Sequence, residues 1–135
     1  VLLAGGIGIT PFRSILVEAI RFGSLAYPVV LLHANRRPAD AAFADELRAL
    51  EAMGTGLTFV PVMTASLPSD GWSGERGHID ADMLRRHTQG LGNPIYYAAG
   101  PAGMVDAMRR TLDAMGVDDD DIRTEEFTGY GGGPR

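Results

Sequence analysis

Two glycine-bearing segments are the parts of this sequence best suited to chemistry. Residues 5–11 read GGIGITP, and residues 100–104 read GPAGM. Each segment follows a short apolar run and precedes a stretch with helical periodicity, so each predicts a turn from a strand into a helix. Glycine lets the backbone approach a ligand closely, and a helix N-terminus stabilises negative charge. Either segment could therefore hold a phosphate or diphosphate group, although a tight structural turn would need the same glycines.

The first segment differs from the dinucleotide-binding fingerprint of doubly wound domains. Pro11 stands where that fingerprint has its third glycine, and the second predicted strand is followed by Asn35, Arg36 and Arg37 rather than by an acidic residue. An acidic residue at that point would hold the adenosine ribose. Arginine suits phosphate groups but is also common on solvated loops, so Arg36 and Arg37 have both interpretations.

The strands that position these segments follow from the alternation of apolar runs with helical periodicity, which predicts an α/β fold. Five strands are expected, near residues 1–4, 28–34, 57–62, 95–99 and 122–127. We predict three layers, α/β/α, around a five-stranded parallel sheet of strand order 3-2-1-4-5. This order brings both glycine segments side by side to the carboxyl edge of the sheet, where parallel sheets bind ligands.

The helices are predicted from capping residues and apolar spacing. They begin near Thr10, Asp40, Asp80 and Pro101, and Thr10 and Asp80 are suitable N-caps. Residues 64–77 contain Pro, Ser, Asp and three glycines, and they predict a long loop.

The composition predicts a single globular domain. The chain has 135 residues, 45% hydrophobic and 21% charged, and we expect residues 1–130 to form the domain and residues 131–135 a flexible tail. The net charge of −5 argues against a nucleic-acid partner. No apolar run approaches the roughly 20 residues that span a bilayer.

Because cysteine is absent and no signal peptide is visible, we expect a cytoplasmic protein. The chain opens inside a predicted strand, so we also expect that an N-terminal part has been removed.

Metal and nucleophile chemistry are not predicted. Without cysteine, this chain cannot hold a disulfide, a thiolate-bound zinc ion or an iron–sulfur cluster. His33, His78 and His87 lack the spacing of metal ligands, and we interpret them as structural or exposed residues. No nucleophile and base stand together in a recognisable arrangement.

Taken together, residues 5–11, residues 100–104 and the sequence EEF at residues 125–127 resemble one family. They are similar, in order and spacing, to the NAD(P)-binding domain of ferredoxin–NADP reductase-like flavoprotein oxidoreductases. In that family the NAD(P)-binding domain carries NAD(P)H, and a separate N-terminal β-barrel domain holds FAD or FMN. Hydride passes from the nicotinamide to the flavin, and electrons continue to an iron–sulfur protein, a haem domain or another acceptor.

The resemblance implies an NAD(P)H-dependent flavoprotein reductase whose flavin-binding domain lies in cis, outside this chain. It also implies that this chain alone is inactive. The cofactor-binding residues implied by the resemblance lie in three segments: Gly5, Gly6, Gly8, Thr10, Pro11; Asn35, Arg36, Arg37; Gly100, Pro101, Met104. The residues implied to act where hydride is transferred are Glu125, Phe127 and Thr10. Strand alternation places Glu125 and Phe127 on the same face, opposite Glu126.

One departure from the family keeps a second function open. The family often has cysteine directly before the second Gly-Pro pair, beside the nicotinamide, and this chain has Ala99. Ala99 therefore favours the alternative of a non-catalytic nucleotide-binding module with a regulatory or electron-transfer role. A flavodoxin-like FMN protein is less well supported, because its phosphate loop is rich in Ser and Thr and residues 5–11 contain only Thr10.

The choice between NADH and NADPH is also open. Arg36 and Arg37 could bind the 2′-phosphate of NADPH, whereas Asn35 could serve a plain ribose hydroxyl. Because no Ser or Lys joins the two arginines, we favour NADH slightly. The sequence does not distinguish FAD from FMN, and it identifies neither the electron acceptor nor the oligomeric state.

Overall fold

Residues 1–127, which the computed structural model describes, form a six-stranded parallel sheet. The strands are β1 Leu2–Gly5, β2 Val29–Asn35, β3 Leu57–Met63, β4 Glu75–Arg76, β5 Tyr96–Gly100 and β6 Ile122–Glu126. Their order across the sheet is β4-β3-β2-β1-β5-β6, and every neighbouring pair is parallel. Residues 128–130 of the predicted domain and the predicted tail, residues 131–135, lie outside the described residues.

Four α-helices cover the two faces of the sheet. They are α1 Ile9–Ile20, α2 Ala44–Ala52, α3 Ala81–Thr88 and α4 Ala102–Ala114. Side chains of α1 and α2 form a hydrophobic cluster with Ala4, Leu31 and Ala99 on one face. Side chains of α3 and α4 form a second cluster with Leu3 and Leu32 on the other. The predicted α/β/α layering is therefore confirmed. No helix within residues 1–127 is long and apolar enough to cross a membrane.

The central strands bury both of their faces, which explains their nearly continuous apolar sequence. Leu3 and Ala4 are both fully buried, yet they belong to different clusters because successive strand residues point to opposite faces. Register then extends this division across the sheet: Leu3 pairs with Leu32 and with Ala98, all on the side of α3 and α4.

The prediction of five strands is wrong by one short edge strand. The predicted order 3-2-1-4-5 is confirmed for the other five strands, but β4 lies inside the predicted loop, residues 64–77. Only Glu75 and Arg76 take part, so no apolar alternation marks them in the sequence. Contacts with α3 hold this strand: the Glu75 carboxylate accepts hydrogen bonds from Arg86 at 2.7 Å and from His87 at 2.6 Å. Just before β4 pairing begins, β3 carries Pro61, which has no N–H to donate.

One predicted N-cap, Thr10, and one predicted helix start, near Asp40, are wrong. Residues 6–8 form a 3₁₀ turn that continues directly into α1, so the N-cap is Gly8 and Thr10 lies inside the first turn. Helix α2 starts at Ala44 rather than near Asp40, because a separate 3₁₀ turn ends at Asp40. The predicted cap at Asp80 is confirmed, since its side chain accepts a hydrogen bond from the Met83 amide.

The first glycine segment lies directly against the backbone of β5. A Cβ added at Gly8 would lie 2.0 Å from the carbonyl oxygen of Ala99, much closer than van der Waals contact. A Cβ added at Gly100 would lie 3.2 Å from the Cα of Gly5. The two glycine segments therefore touch each other through their backbones, and only residues without a Cβ allow this approach.

We expect the substitution Gly8→Ala to destabilise the fold, because the added methyl group must displace the backbone of β5. Overpacking of this kind costs about 1–3 kcal/mol. Gly103→Ala, in the first turn of α4, is the matched control: its Cβ would meet no described atom within 4 Å, and it should stabilise by up to about 1 kcal/mol. Urea unfolding measures both variants, and equal free energies of unfolding would contradict the assigned role of Gly8.

Candidate functional site

A cleft of about 580 Å³ opens at the carboxyl edge of the sheet, where β1, β2 and β3 end and α4 begins. It brings together parts of all three sequence segments with residues from other loops. The lining residues are Gly5, Gly6, Ile7, Ala34, Asn35, Arg36, Asp40, Ala42, Thr64, His78, Pro101 and Met104. An apolar hollow of about 340 Å³ adjoins the cleft and shares four of its lining residues, Ala34, Thr64, His78 and Met104.

The two glycine segments form one wall of the cleft. Gly6 has a φ of +52°, and its carbonyl accepts a hydrogen bond from the backbone N–H of Ile9 in α1. The second segment meets the first at Met104, whose Sδ would lie 3.3 Å from a Cβ added at Gly5. Met104 also packs against the core cluster under α4, so it is both a core residue and a lining residue.

The two helices that begin at this wall, α1 and α4, have N-termini without a side-chain cap or an acidic residue. Neither α1 nor α4 has a cap from a described side chain, and neither carries an acidic residue in its first turn. By contrast, α2 and α3 both have acidic residues in their first turns. The partial positive charge at the start of α1 and α4 is therefore not offset locally, which favours an anionic ligand beside them.

The opposite wall is held by an extension of the β2–β3 pairing. The carbonyl of Asn35 accepts the Thr64 N–H at 2.8 Å, and the carbonyl of Arg36 accepts the Ala65 N–H at 3.0 Å. These bonds fix the backbone that carries Asn35 and Arg36 at the cleft. Arg36 and Asp40 give the cleft one basic and one acidic side chain.

His33 is the buried polar residue beneath the first segment, and the sequence alone did not assign it a specific contact. Its side chain is fully buried, and its Nε2 lies 2.8 Å from the carbonyl oxygen of Gly6. A carbonyl oxygen only accepts, so the Gly6 contact places the proton on Nε2. The Asn35 side-chain amide lies 3.2 Å from the same nitrogen, so with Nε2 protonated this amide presents its oxygen there. Burial lowers the pKa of His33, because the charged ring would lose its hydration. The strand period places His33 and Asn35 on one face of β2, a signal that was available from the sequence.

The other two histidines lie at the surface or near it. His78 is exposed and lines the cleft, while His87 is half-buried against Glu75. The expectation of structural or exposed histidines is thus met, but it missed the position of His78 in the cleft. Within residues 1–127, no three His, Cys, Asp or Glu side chains gather as a possible metal site.

Several residues implied by the resemblance lie outside the cleft. Thr10 is exposed on the first turn of α1, Pro11 follows it, and Arg37 is exposed beyond Arg36; none of them lines the cleft. Gly8 and Gly100 lie beneath it and form the backbone contacts described above.

The two C-terminal residues implied by the resemblance form a separate feature. Glu125 lines a hollow of about 180 Å³ with Phe12, Tyr97 and Ala99. Phe127 packs against the cluster that contains Ala99, and its N–H donates to the Gly100 carbonyl at 2.9 Å. Glu125 pairs with Ala99 in the sheet, which places it on the side of α1. The structure therefore puts Glu125 and Phe127 on one side of the sheet, close to the second glycine segment.

Comparison with known protein families identifies the same part of the chain. A family model described as "Oxidoreductase NAD-binding domain" matches residues 2–110. NADH-cytochrome b5 reductase 1 of Emericella nidulans is 32% identical over 121 residues, which are 85% of this chain and 38% of that protein. The flavohemoprotein of Rhodopirellula baltica is 32% identical over 133 residues, which are 94% of this chain and 31% of that protein. The chain thus spans about a third of the length of these relatives.

Solved structures show the same fold. The ferredoxin NADP+ reductase from Neisseria gonorrhoeae with bound FAD and NADP superposes with a TM-score of 0.72 at 27% identity, covering 93% of this chain and 54% of that one. The cytochrome b5 reductase domain of Ulva prolifera nitrate reductase gives a TM-score of 0.77 at 26% identity, covering 92% of this chain and 48% of that one.

We expect stability to fall below neutral pH because of His33. The unfolded chain binds a proton at His33 near pH 6.5, whereas the folded chain, with its lowered pKa, resists protonation. The contribution of the neutral ring is therefore complete above about pH 6.5 and is lost as the pH falls towards the folded-state pKa. His33→Phe and His33→Gln, which cannot titrate in this range, should both lose less thermal stability than wild type between pH 7 and pH 5. An identical loss in all three proteins would contradict this assignment.

Proposed function

This chain belongs to the oxidoreductase NAD-binding domain family, and we propose that it is the nicotinamide-nucleotide half of a flavin-dependent reductase. Membership confirms the resemblance to ferredoxin–NADP reductase-like flavoproteins. The observation that carries the proposal is the contact between the two glycine segments beside a cleft of about 580 Å³. A flavin-binding domain in cis would account for the larger size of the relatives, of which this chain spans 38% and 31%.

In this proposal the diphosphate lies along the glycine wall of the cleft. Backbone amides of Gly6 and Ile7 and the start of α4 after Pro101 would bind its oxygens. The N-termini of α1 and α4, which lack acidic neighbours in their first turns, add a favourable field. Arg36 supplies the positive side chain of the opposite wall. The chain's own task is binding and orientation, since the nicotinamide supplies the hydride when it is bound.

The adenosine end is proposed to lie between Asn35, Thr64 and His78. Asn35 can serve a ribose hydroxyl, and the adjoining apolar hollow of about 340 Å³ offers a surface for the base. Asp40 on the same cleft favours NADH, because a carboxylate accepts hydrogen bonds from ribose hydroxyls but repels a 2′-phosphate. Arg37, which does not line the cleft, is left without a direct role in binding.

The hydride-transfer end is proposed to lie near Glu125, Phe127 and Thr10. The bond from the Phe127 N–H to the Gly100 carbonyl fixes the end of β6 beside the second glycine segment. Glu125 and Phe127 would then face the flavin that another domain holds. Ala99 is only 2% exposed, so its methyl group faces the core of the domain. Because residue 99 is alanine, it supplies no thiol near the nicotinamide. The non-catalytic nucleotide-binding module therefore stays as the second candidate function.

We further propose that the electrons continue to a haem or iron–sulfur domain. Relatives named cytochrome b5 reductase, nitrate reductase and flavohemoprotein support the haem alternative. The proposed compartment is the cytoplasm, supported by the absence of cysteine from the chain.

The test of the reductase proposal is an anaerobic titration of the full-length protein with NADH. We expect the visible flavin absorbance to be lost, because one hydride from each NADH reduces one flavin. The isolated chain of residues 1–135 should bind NADH without oxidising it, since it has no flavin to accept the hydride. Binding to the full-length protein without flavin reduction would support the non-catalytic module instead.

The preference for NADH is tested by three substitutions. Asp40→Asn should raise kcat/KM for NADPH by several-fold, because it removes a charge that repels the 2′-phosphate. Arg36→Ala should lower kcat/KM for NADH and for NADPH to a similar degree, because in this proposal the Arg36 guanidinium binds the diphosphate that both cofactors contain. Arg37→Ala is the matched control and should change neither. A selective loss of NADPH activity in Arg36→Ala and Arg37→Ala would show that the arginines read the 2′-phosphate.

A further inference from the structure

A buried histidine at the centre of β2 is not explained by the proposed binding contacts. His33 is fully buried, although the neighbouring strand residues Leu31 and Leu32 are apolar. Its Nδ1 is buried and has no hydrogen-bond partner among the described residues. A ring that leaves one nitrogen unpaired costs stability, so its value must lie in the other nitrogen. That nitrogen, Nε2, lies 2.8 Å from the Gly6 carbonyl oxygen and 3.2 Å from the Asn35 side-chain amide.

Gly6 benefits from such a contact because it has no side chain of its own to restrict its conformation. It has a φ of +52°, and a Cβ placed on it would meet no described atom within 4 Å. A residue of this kind can rotate its following peptide group at little cost. The carbonyl of that peptide is held from two directions, by the Ile9 N–H of α1 and by the His33 side chain of β2.

The direction of the Gly6 carbonyl determines the direction of the next amide. The peptide group between Gly6 and Ile7 is planar and trans, so its N–H points opposite to its C=O. The carbonyl points to the buried ring of His33, and the Ile7 N–H therefore points away from the core. Ile7 itself lines the cleft.

We infer that His33 is a positioning residue, whose Nε2–H holds the Gly6–Ile7 peptide so that the Ile7 N–H faces the phosphate groups of a nucleotide in the cleft. The inference rests on the proposed nucleotide-binding function and assigns a role in it to a side chain that does not touch the ligand. Loss of the contact leaves the Gly6 carbonyl held by the Ile9 N–H alone, so the fold persists while the peptide is held less tightly. Affinity for the phosphate part of the ligand then falls more than affinity for its adenosine part, because Asn35, whose side chain also contacts Nε2, keeps its backbone bond to Thr64.

The experiment compares three variants of the full-length flavoprotein. His33→Gln keeps an amide donor at the position of Nε2, whereas His33→Asn can place one only near Nδ1, and His33→Phe has none. We measure inhibition of NADH oxidation by ADP-ribose, which carries the diphosphate, and by adenosine, which does not. We also measure KM and kcat for NADH, and thermal unfolding to compare stability.

We expect His33→Phe and His33→Asn to raise the inhibition constant of ADP-ribose by about 3- to 10-fold, the range expected for loss of a single hydrogen bond. Inhibition by adenosine should change less than twofold. KM for NADH should rise by the same factor as the inhibition constant of ADP-ribose, and kcat should not change. The reason is that the lost binding energy is common to the ground state and the transition state. His33→Gln should retain nearly the wild-type values.

Three results would overturn the inference. An equal rise in the inhibition constants of ADP-ribose and adenosine would mean that the cleft has collapsed. Wild-type inhibition constants in His33→Phe would mean that the contact positions nothing. Equal losses in His33→Gln and His33→Asn would show that the Nε2 donor is not the relevant group. Failure of the proposed function is distinguishable, since the wild-type protein itself would then neither bind ADP-ribose nor reduce its flavin with NADH.

Discussion

The close approach of the first glycine segment to the backbone of β5 is the constraint on which the site depends. Gly8 lies where a Cβ would be 2.0 Å from the Ala99 carbonyl, and Gly5 and Gly100 meet in the same way on the neighbouring strand ends. These contacts place the starts of α1 and α4 side by side at one edge of the sheet. The two uncapped helix ends therefore act on the same volume, and a ligand with two linked phosphates can use both.

In the proposed function, the cleft serves binding of the nucleotide and the end of the C-terminal strand serves hydride transfer. Side chains at the cleft, including Arg36, Asp40 and Thr64, come from loops that follow β2 and β3. Glu125 and Phe127 lie on the other side of the glycine segments, where β6 pairs with β5. If one dinucleotide contacts both groups, as proposed, the sheet that carries them fixes how its two ends are placed. Small shifts in that geometry matter, because an error of about 1 Å can cost on the order of 100-fold in rate.

Much of the fold was predictable because its central strands are buried on both faces and therefore have an unmistakable apolar pattern. That pattern located five of the strands. The predicted order 3-2-1-4-5, which accompanied the family resemblance, then brought the two glycine segments together. Strand β4 did not, since the contacts that hold it to α3 are hydrogen bonds from Arg86 and His87 to the Glu75 carboxylate rather than buried apolar side chains. His33 was recognised only as structural or exposed, because its partner is a backbone carbonyl on another strand's loop. Thr64 and His78 were missed in the site for a related reason, as residues in aperiodic loops reach it only through the fold.

Strand β4 has a consequence for behaviour in solution. An open sheet edge exposes unpaired N–H and C=O groups to which a strand of another molecule can add, and this is a route to aggregation. Here β4 covers the end of β3, and Pro61 removes an N–H from the adjoining stretch of β3. On the far side, β6 carries Arg123, Glu125 and Glu126. Within residues 1–127, the short β4, Pro61 and the charged residues of β6 are therefore features that disfavour pairing with a strand of another molecule.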